Sequence, residues 1–220
     1  MRALIRKLYN SLKSINIIMV HHVADIEPII YSCIISKQNF STYITNRKFI
    51  PVSNALKSIS KNHKSYVLTV DDALDDLYTD IYPVCKKHNI PFTAFISAEL
   101  LNKPGYITTE QLIEMSKNPL VTIGSHGCNH IKLNSCDEET ARYEIFYSKE
   151  KIEKLINKKV DLIAYPNGAV NKYILKLTKK AGYKYGFGVT PRKCNIISKH
   201  FNKFLLPRYN LTNDTVNSLD

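Results

Sequence analysis

Long apolar runs are missing from this chain. Near its start the longest is Ile17 to Val20, too short for a membrane span or for the core of a signal peptide, so a cytoplasmic, unexported protein is expected. A disulfide framework is missing as well: Cys33, Cys85, Cys128, Cys136 and Cys194 are odd in number and irregular in spacing, a pattern that fits reduced thiols. Internal repeats, low-complexity tracts and interdomain linkers are absent, which excludes a repeat architecture. There is no zinc-finger spacing and no aromatic-glycine RNA-binding signature, so nucleic acid is not an expected partner. Acidic residues are the scarcer charge, 19 against 31 basic ones for a net +12. That imbalance suits an anionic partner such as an acidic glycan or a phospholipid surface, although scattered lysines serve solubility equally well.

What is present is enough apolar material for one core: 220 residues, 44% of them hydrophobic. Short apolar runs alternate with amphipathic stretches, the signature of β-α units around a parallel sheet or barrel. The runs Ile15 to Val20, Tyr66 to Val70, Thr93 to Ile96, Val121 to Ile123, Leu162 to Tyr165 and Tyr185 to Val189 read as strands. Thr108 with Gln111 and Ser135 with Glu138 match the capping box. In the second helix Ile145, Ile152 and Ile156 form one stripe, and a helix from about Lys172 should stop at Gly182. Gln38 to Ile44 and Val52 to Ile59 read as helix pieces. Residues 1–14 form a separate element, a basic amphipathic helix with Leu4, Ile5, Leu8 and Leu12 on one face and Arg2, Arg6, Lys7 and Lys13 around them. Either it packs on its own domain, residues 15–220, or it lies on an anionic membrane surface.

Polar residues cluster where the strands end. Asp71 and Asp72, His21 and His22, Ser125 and His126, and Pro166 all follow C-terminal ends of expected strands, and in barrels of parallel strands that rim is where catalysis is built. One Asp and two His can supply three ligands to a divalent metal and leave a position open for water. Adjacent residues on an extended chain point opposite ways, so Asp71 and Asp72 can have separate duties. The alternative is that they serve a helix N-terminus, since Asp75 and Asp76 follow and acidic residues favour that end. His126 and His130 are spaced to share one side of a helical turn, but Gly127 and the strand before them argue against a helix and against a His-Glu-x-x-His protease. Cys128, between them, reads as a small packed residue.

The motifs resemble those of the polysaccharide deacetylases (NodB-homology domain, carbohydrate esterase family four). Thr69-Val70-Asp71-Asp72-Ala73 is similar to their Thr-Phe-Asp-Asp-Gly signature and Ser125-His126-Gly127-Cys128-Asn129-His130 to their His-Ser/Thr-x-x-His. Ala164-Tyr165-Pro166-Asn167-Gly168 matches Arg-x-Pro-Tyr-Gly in part. Ile18-Met19-Val20-His21-His22-Val23 and Leu206-Pro207-Arg208-Tyr209 resemble the Met-Tyr-His-x-Val opening and Leu-Pro-Arg ending of one branch.

The resemblance implies a single-domain α/β fold, a distorted (β/α) barrel of about seven parallel strands. It further implies hydrolysis of N-acetyl groups on amino sugars of a polysaccharide or lipid-linked precursor. Asp71 matches the general base for water activated at the metal, and Asp72, His126 and His130 match the metal ligands. The backbone N-H of Asn167 matches the oxyanion donor, with Tyr165 and Pro166 toward the substrate. Zinc is the default cation; cobalt, nickel, iron or manganese would accept the same set. The departures are informative. Ala73 replaces glycine, which is tolerable if its φ is negative. Ala164 replaces an arginine that orients the base, leaving Arg208 as the candidate cation. No histidine follows His200, so the usual acid is missing and His21 is the candidate. Two alternatives remain: a hydrolase of the same fold acting on an O-acetyl ester or another amide, or a catalytically impaired glycan-binding protein.

Overall fold

The computed structural model describes residues 14–25, 33–57, 65–195 and 201–219, and in it the apolar runs become strands buried on both faces. Chain order gives β1 (Ser14–Val20), β2 (His22–Val23), β3 (Ile34–Ile35), β4 (Lys48–Phe49), β5 (Ser65–Val70), β6 (Phe92–Ile96), β7 (Val121–Ser125), β8 (Leu162–Ala164), β9 (Tyr185–Phe187), β10 (Cys194–Asn195) and β11 (Tyr209–Asn210). The main sheet runs β10-β1-β5-β6-β7-β8-β9, with β11 added on β1 and β4 on β5. Its pairings are parallel except β10, which is antiparallel to β1. The short pair β2-β3 lies apart. This is the expected distorted (β/α) barrel. Residues 203–211 span its open side: Leu206 pairs with Phe187 of β9, and Tyr209 pairs with Ile18 of β1.

Helices α1 (Lys37–Thr45), α2 (Val52–Lys57), α3 (Tyr82–Lys87), α4 (Thr109–Lys117), α5 (Glu138–Arg142), α6 (Ser148–Ile156) and α7 (Lys172–Lys180) connect the strands. The capping box of α4 forms as read, with Gln111 N-H on Thr108 Oγ1 at 3.2 Å and Thr108 N-H on Gln111 Oε1 at 2.8 Å. That of α5 does not. Its cap is Asp137, which accepts Thr140 N-H at 2.7 Å; Ser135 lies earlier, in the 3₁₀ turn Leu133–Ser135, with its hydroxyl on Asn134 Oδ1. Helix α7 stops where expected, with Gly182 at φ +81 donating to Lys179 O. The expected piece Val52 to Ile59 is helical to Lys57, its last two residues falling outside the described ones. The expected N-terminal helix also lies outside them, apart from Ser14, which begins β1.

Strand pleat sorts the core into two clusters. Ile15, Ile17, Val67, Phe95, Leu162, Ala164, Phe187 and Leu206 pack together as the barrel interior, while Ile18, Val20, Leu68, Val70, Ala94, Ile96 and Ile163 join the helices outside. Phe95 and Phe187, centroids 5.1 Å apart, plug the interior below the mouth. Each fully buried side chain of this size contributes roughly 1.5–3 kcal/mol.

Candidate metal centre at the barrel mouth

The same parity decides which polar residues face the mouth. Val67, Thr69 and Asp71 share one face of β5 and its extension, and Ile15, Ile17, Met19 and His21 share one face of β1, so Asp71 and His21 continue the inward rows. Arg208 continues the row of Leu206 from the closing segment. Its guanidinium, 0% exposed, donates from Nη1 to Asp71 Oδ1 and from Nη2 to Asp71 Oδ2, both at 2.7 Å, with Nη1 also on Thr69 Oγ1 and Nε on Gly188 O. Burial would raise the Asp71 pKa, but the charges of Arg208 and His126 and the fork of hydrogen bonds outweigh it, and the carboxyl is held below its ordinary value.

Asp72 turns the other way. With φ of +70 at Asp72 and +61 at Ala73, the chain leaves β5 through two left-handed residues. Ala73 therefore takes the conformation that glycine adopts freely, against the expectation of a negative φ. Asp72 Oδ1 lies 3.2 Å from His126 Nε2 and 3.0 Å from His130 Nε2, and the ligand atoms of the three residues all lie within 4.8 Å of one another. Neither carboxylate of the pair caps a helix.

His126 and His130 do not share a helical turn. His126 ends the inward row of β7, and His130 comes back to it through a loop with φ +76 at Gly127 and +56 at His130, leaving the rings 5.0 Å apart. His126 Nδ1 is 2.9 Å from Ala164 O, a pure acceptor, so Nδ1 carries a hydrogen, and whenever the ring is neutral its Nε2 lone pair faces the Asp72 carboxylate. Lone pair against carboxylate is repulsive unless a proton or a metal cation lies between them. Consistent with this, Asp72 Oδ1 is buried without a well-formed hydrogen bond. Burial would lower the His126 pKa, but Asp71 and Asp72 raise it further than burial depresses it. Burial would likewise raise Asp72, yet the two histidines hold it well below the usual carboxylate range. The set fits a divalent metal: two imidazoles and one carboxylate, with one imidazole oriented through its other nitrogen by a backbone carbonyl.

His21 also faces this group. Its Nδ1 is buried without a hydrogen-bond partner among the described residues, and burial, only partly opposed by Asp71 and Asp72, lowers its pKa. The third motif forms a 3₁₀ turn, Pro166–Gly168, in which Asn167 is exposed at φ +55. Pro166 packs toward the His126 loop, near enough for a Cβ on Gly127 to meet its ring at 3.8 Å. Tyr165 and Pro166, expected toward the substrate, are both buried. Tyr165 lies on the outward face of β8 beside Ile163, is 0% exposed, and donates its hydroxyl to Phe204 O at 2.9 Å. Cys128 is buried and its thiol is pushed up to about 12, mainly by burial, as expected of a packed residue.

Two buried carboxylates escaped the sequence reading. Asp76 accepts Val23 N-H and lies 3.0 Å from His22 Nδ1, tying the start of the π-helical turn Leu77–Ile81 to β2. Glu144 accepts backbone N-H groups from Cys128 and Asn129. Its signal was available: an acidic residue on the apolar stripe of Ala141, Ile145 and Ile152 belongs inside only if something there needs it.

A family model described as polysaccharide deacetylase matches residues 58–186. The Bacillus subtilis (strain 168) protein YxkH is 31% identical over 130 residues, 59% of this chain and 46% of its own length. The poly-beta-1,6-N-acetyl-D-glucosamine N-deacetylase of Staphylococcus aureus is 28% identical over 169 residues, 71% of this chain and 57% of its own. The chain thus spans about half the length of these curated relatives. Among solved structures, the Streptococcus pyogenes deacetylase PplD in complex with acetate has a TM-score of 0.82 at 22% identity, covering 94% of this chain and 96% of that one. A polysaccharide deacetylase from Bacillus cereus has a TM-score of 0.80 at 20% identity, covering 94% and 68%. At these identities the likeness establishes the fold.

Proposed function

We propose that this chain, which belongs to the polysaccharide deacetylase family, hydrolyses the N-acetyl group of an amino sugar in a polysaccharide or lipid-linked glycan, using a divalent metal held by Asp72, His126 and His130. The observation that carries this reading is the convergence of two imidazole nitrogens on one buried carboxylate oxygen, at 3.2 and 3.0 Å, beside a second carboxylate held separately by arginine. Poly-N-acetylglucosamine is the first substrate to try, because a relative is named for it.

A divalent cation in that set supplies Lewis acidity, polarising the acetyl carbonyl and making water more acidic, with zinc the default choice. The chain's own groups do the rest. Arg208 keeps Asp71 ionised and fixes its orientation, and Asp71 Oδ2, 3.9 Å from His126 Nε2, takes the proton of the attacking water. The Asn167 backbone N-H donates to the oxyanion of the tetrahedral carbon, a role that survives the change of side chain at this position. His21 passes a proton to the leaving amine. It starts neutral because burial depresses it, so the proton it passes on is the one Asp71 took from water, relayed through the imidazole, and both groups end as they began.

The test is acetate release from poly-beta-1,6-N-acetyl-D-glucosamine and from N-acetylglucosamine oligomers, before chelation, after it, and after zinc is restored. Release that disappears and returns supports the reading. Release only from an O-acetylated glycan moves the activity to ester bonds, and zinc-loaded protein that frees no acetate from any of these glycans rejects deacetylation.

A further inference from the structure

The loop that carries both histidines is held from outside the metal set. Glu144, 1% exposed, lies in a π-helical turn, Tyr143–Tyr147, between α5 and α6, an irregularity of a kind frequent at functional sites. Its carboxylate accepts Cys128 N-H at 2.6 Å, Asn129 N-H at 3.1 Å and Asn129 Nδ2-H at 2.8 Å. The approach is so close that a Cβ on Gly127 would meet Glu144 Oε2 at 2.7 Å. Behind it, Ser148 Oγ donates to Glu144 O at 2.6 Å and lies 2.8 Å from Ser125 Oγ, which accepts Gly127 N-H at 3.2 Å. The amides of residues 127, 128 and 129 are therefore all secured by this one network.

His130 is the member of the set that needs such support. Asp72 follows directly from β5, and His126 follows β7 and is fixed again at Ala164 O. The ring contacts found for His130 among the described residues are to Asp72 and His126 themselves. Resting on the metal-site reading above, we propose that Glu144 is a positioning residue for the metal, clamping Cys128 and Asn129 so that His130 is presented to the point shared by Asp72 and His126. A buried carboxylate in this stripe is costly unless fully bonded, and all the donors it finds in the loop lie between the two histidines.

The measurement is zinc affinity of the purified full chain, by competition with a chromogenic chelator, alongside circular dichroism. Glu144→Gln keeps the shape but turns an amide NH₂ toward backbone donors, and should lower affinity about 10–100-fold, the usual cost of losing an outer partner of a metal ligand, with the fold retained. Asn129→Ala, at an exposed site, removes only the Nδ2 donor and should lower affinity about 3–10-fold. It decides the matter if Glu144→Gln fails to fold. Glu153→Gln is the control: that carboxylate accepts Val160 N-H and pairs with Lys149, away from the loop, and affinity should stay within about twofold of wild type. Affinity unchanged in Asn129→Ala and in folded Glu144→Gln would overturn the positioning role alone, as would an equal loss in Glu153→Gln. Wild-type protein without zinc affinity would overturn the metal site and this role together.

Discussion

Arg208→Met isolates the pairing on which the proposed role of Asp71 as a base depends. Methionine keeps an apolar stem over Phe95 and Phe187, whose rings lie 5.6 and 5.9 Å from the guanidinium carbon, but it abandons the carboxylate. Side chains exposed by 0% and 2% cannot be rescued by water, so Asp71 would remain as an uncompensated buried charge. Breaking such a pair from one side costs about 3–5 kcal/mol, a large part of the ~5–15 kcal/mol that holds a typical domain together. Asp71→Asn should cost a similar amount by stranding the arginine, whereas the double variant strands neither, so its loss should fall well short of the sum of the two. Guanidinium chloride unfolding at neutral pH reads all three. Activity adds a second line: with its partner gone, Asp71 is driven toward the protonated form by burial, and acetate release should fall on the order of 10²–10⁴-fold, the span of general-base contributions. Arg208→Met losing less than about 1 kcal/mol, or strict additivity in the double variant, would refute the reasoning, since each corresponds to a solvated, weakly coupled pair.

Tyr165→Phe should cost about 1 kcal/mol of stability through the lost bond to Phe204 O while leaving KM unchanged; a raised KM would return Tyr165 to the substrate side. Ala73→Gly should relieve the left-handed strain and raise Tm by roughly 2–4 °C in a differential scanning experiment, the equivalent of about 1 kcal/mol at this size. No rise would mean that the conformational freedom glycine adds to the unfolded chain cancels the gain. In native protein a thiol reagent should modify the half-exposed Cys33 and Cys136 but not the buried Cys85, Cys128 and Cys194. Burial pushes Cys128 and Cys194 up to about 12, so little thiolate is available to react, and the three should become reactive on unfolding.

Legibility followed the physics of each element. The inner strands were plain because parallel strands covered on both faces must be continuously apolar, and each matched its run to within a few residues. The closing segment was not, since only Tyr209–Asn210 of it is a strand and its pairings to β9 and β1 depend on contacts far apart in sequence. Asp137 displaced Ser135 as a cap because a 3₁₀ turn, which no composition announces, places the serine before the helix start. Tyr165 was assigned to substrate from its motif, although pleat parity with Ile163 and Ala164 already sends it outward. The candidate metal set was legible as residue types at strand ends, whereas Glu144 was hidden by the convention that acidic helix residues face water. Residues 1–13 lie outside the described part, and among the described residues no helix is long and apolar enough to cross a membrane.

Why two adjacent aspartates would divide the proposed work follows from parity and charge together. The inward row of β5 delivers Asp71 to Arg208, so that carboxylate arrives already compensated and its pKa is lowered by its partner. The left-handed turn at Asp72 takes the next carboxylate out of that row and brings it to two imidazoles, one of which has its Nδ1 hydrogen committed to a backbone carbonyl. Asp72 is 16% exposed at its side chain, too little for water alone to carry its charge, which therefore rests on what lies between it and the imidazoles. A buried carboxylate in that position is stable only with a proton or a metal beside it. Exchanging the two environments would leave neither duty served: a carboxylate forked by arginine is a poor ligand, and one bound to a metal is a poor base. The proposed division would thus be a property of the backbone conformation at Asp72 and Ala73, and the strain accepted at Ala73 its visible cost.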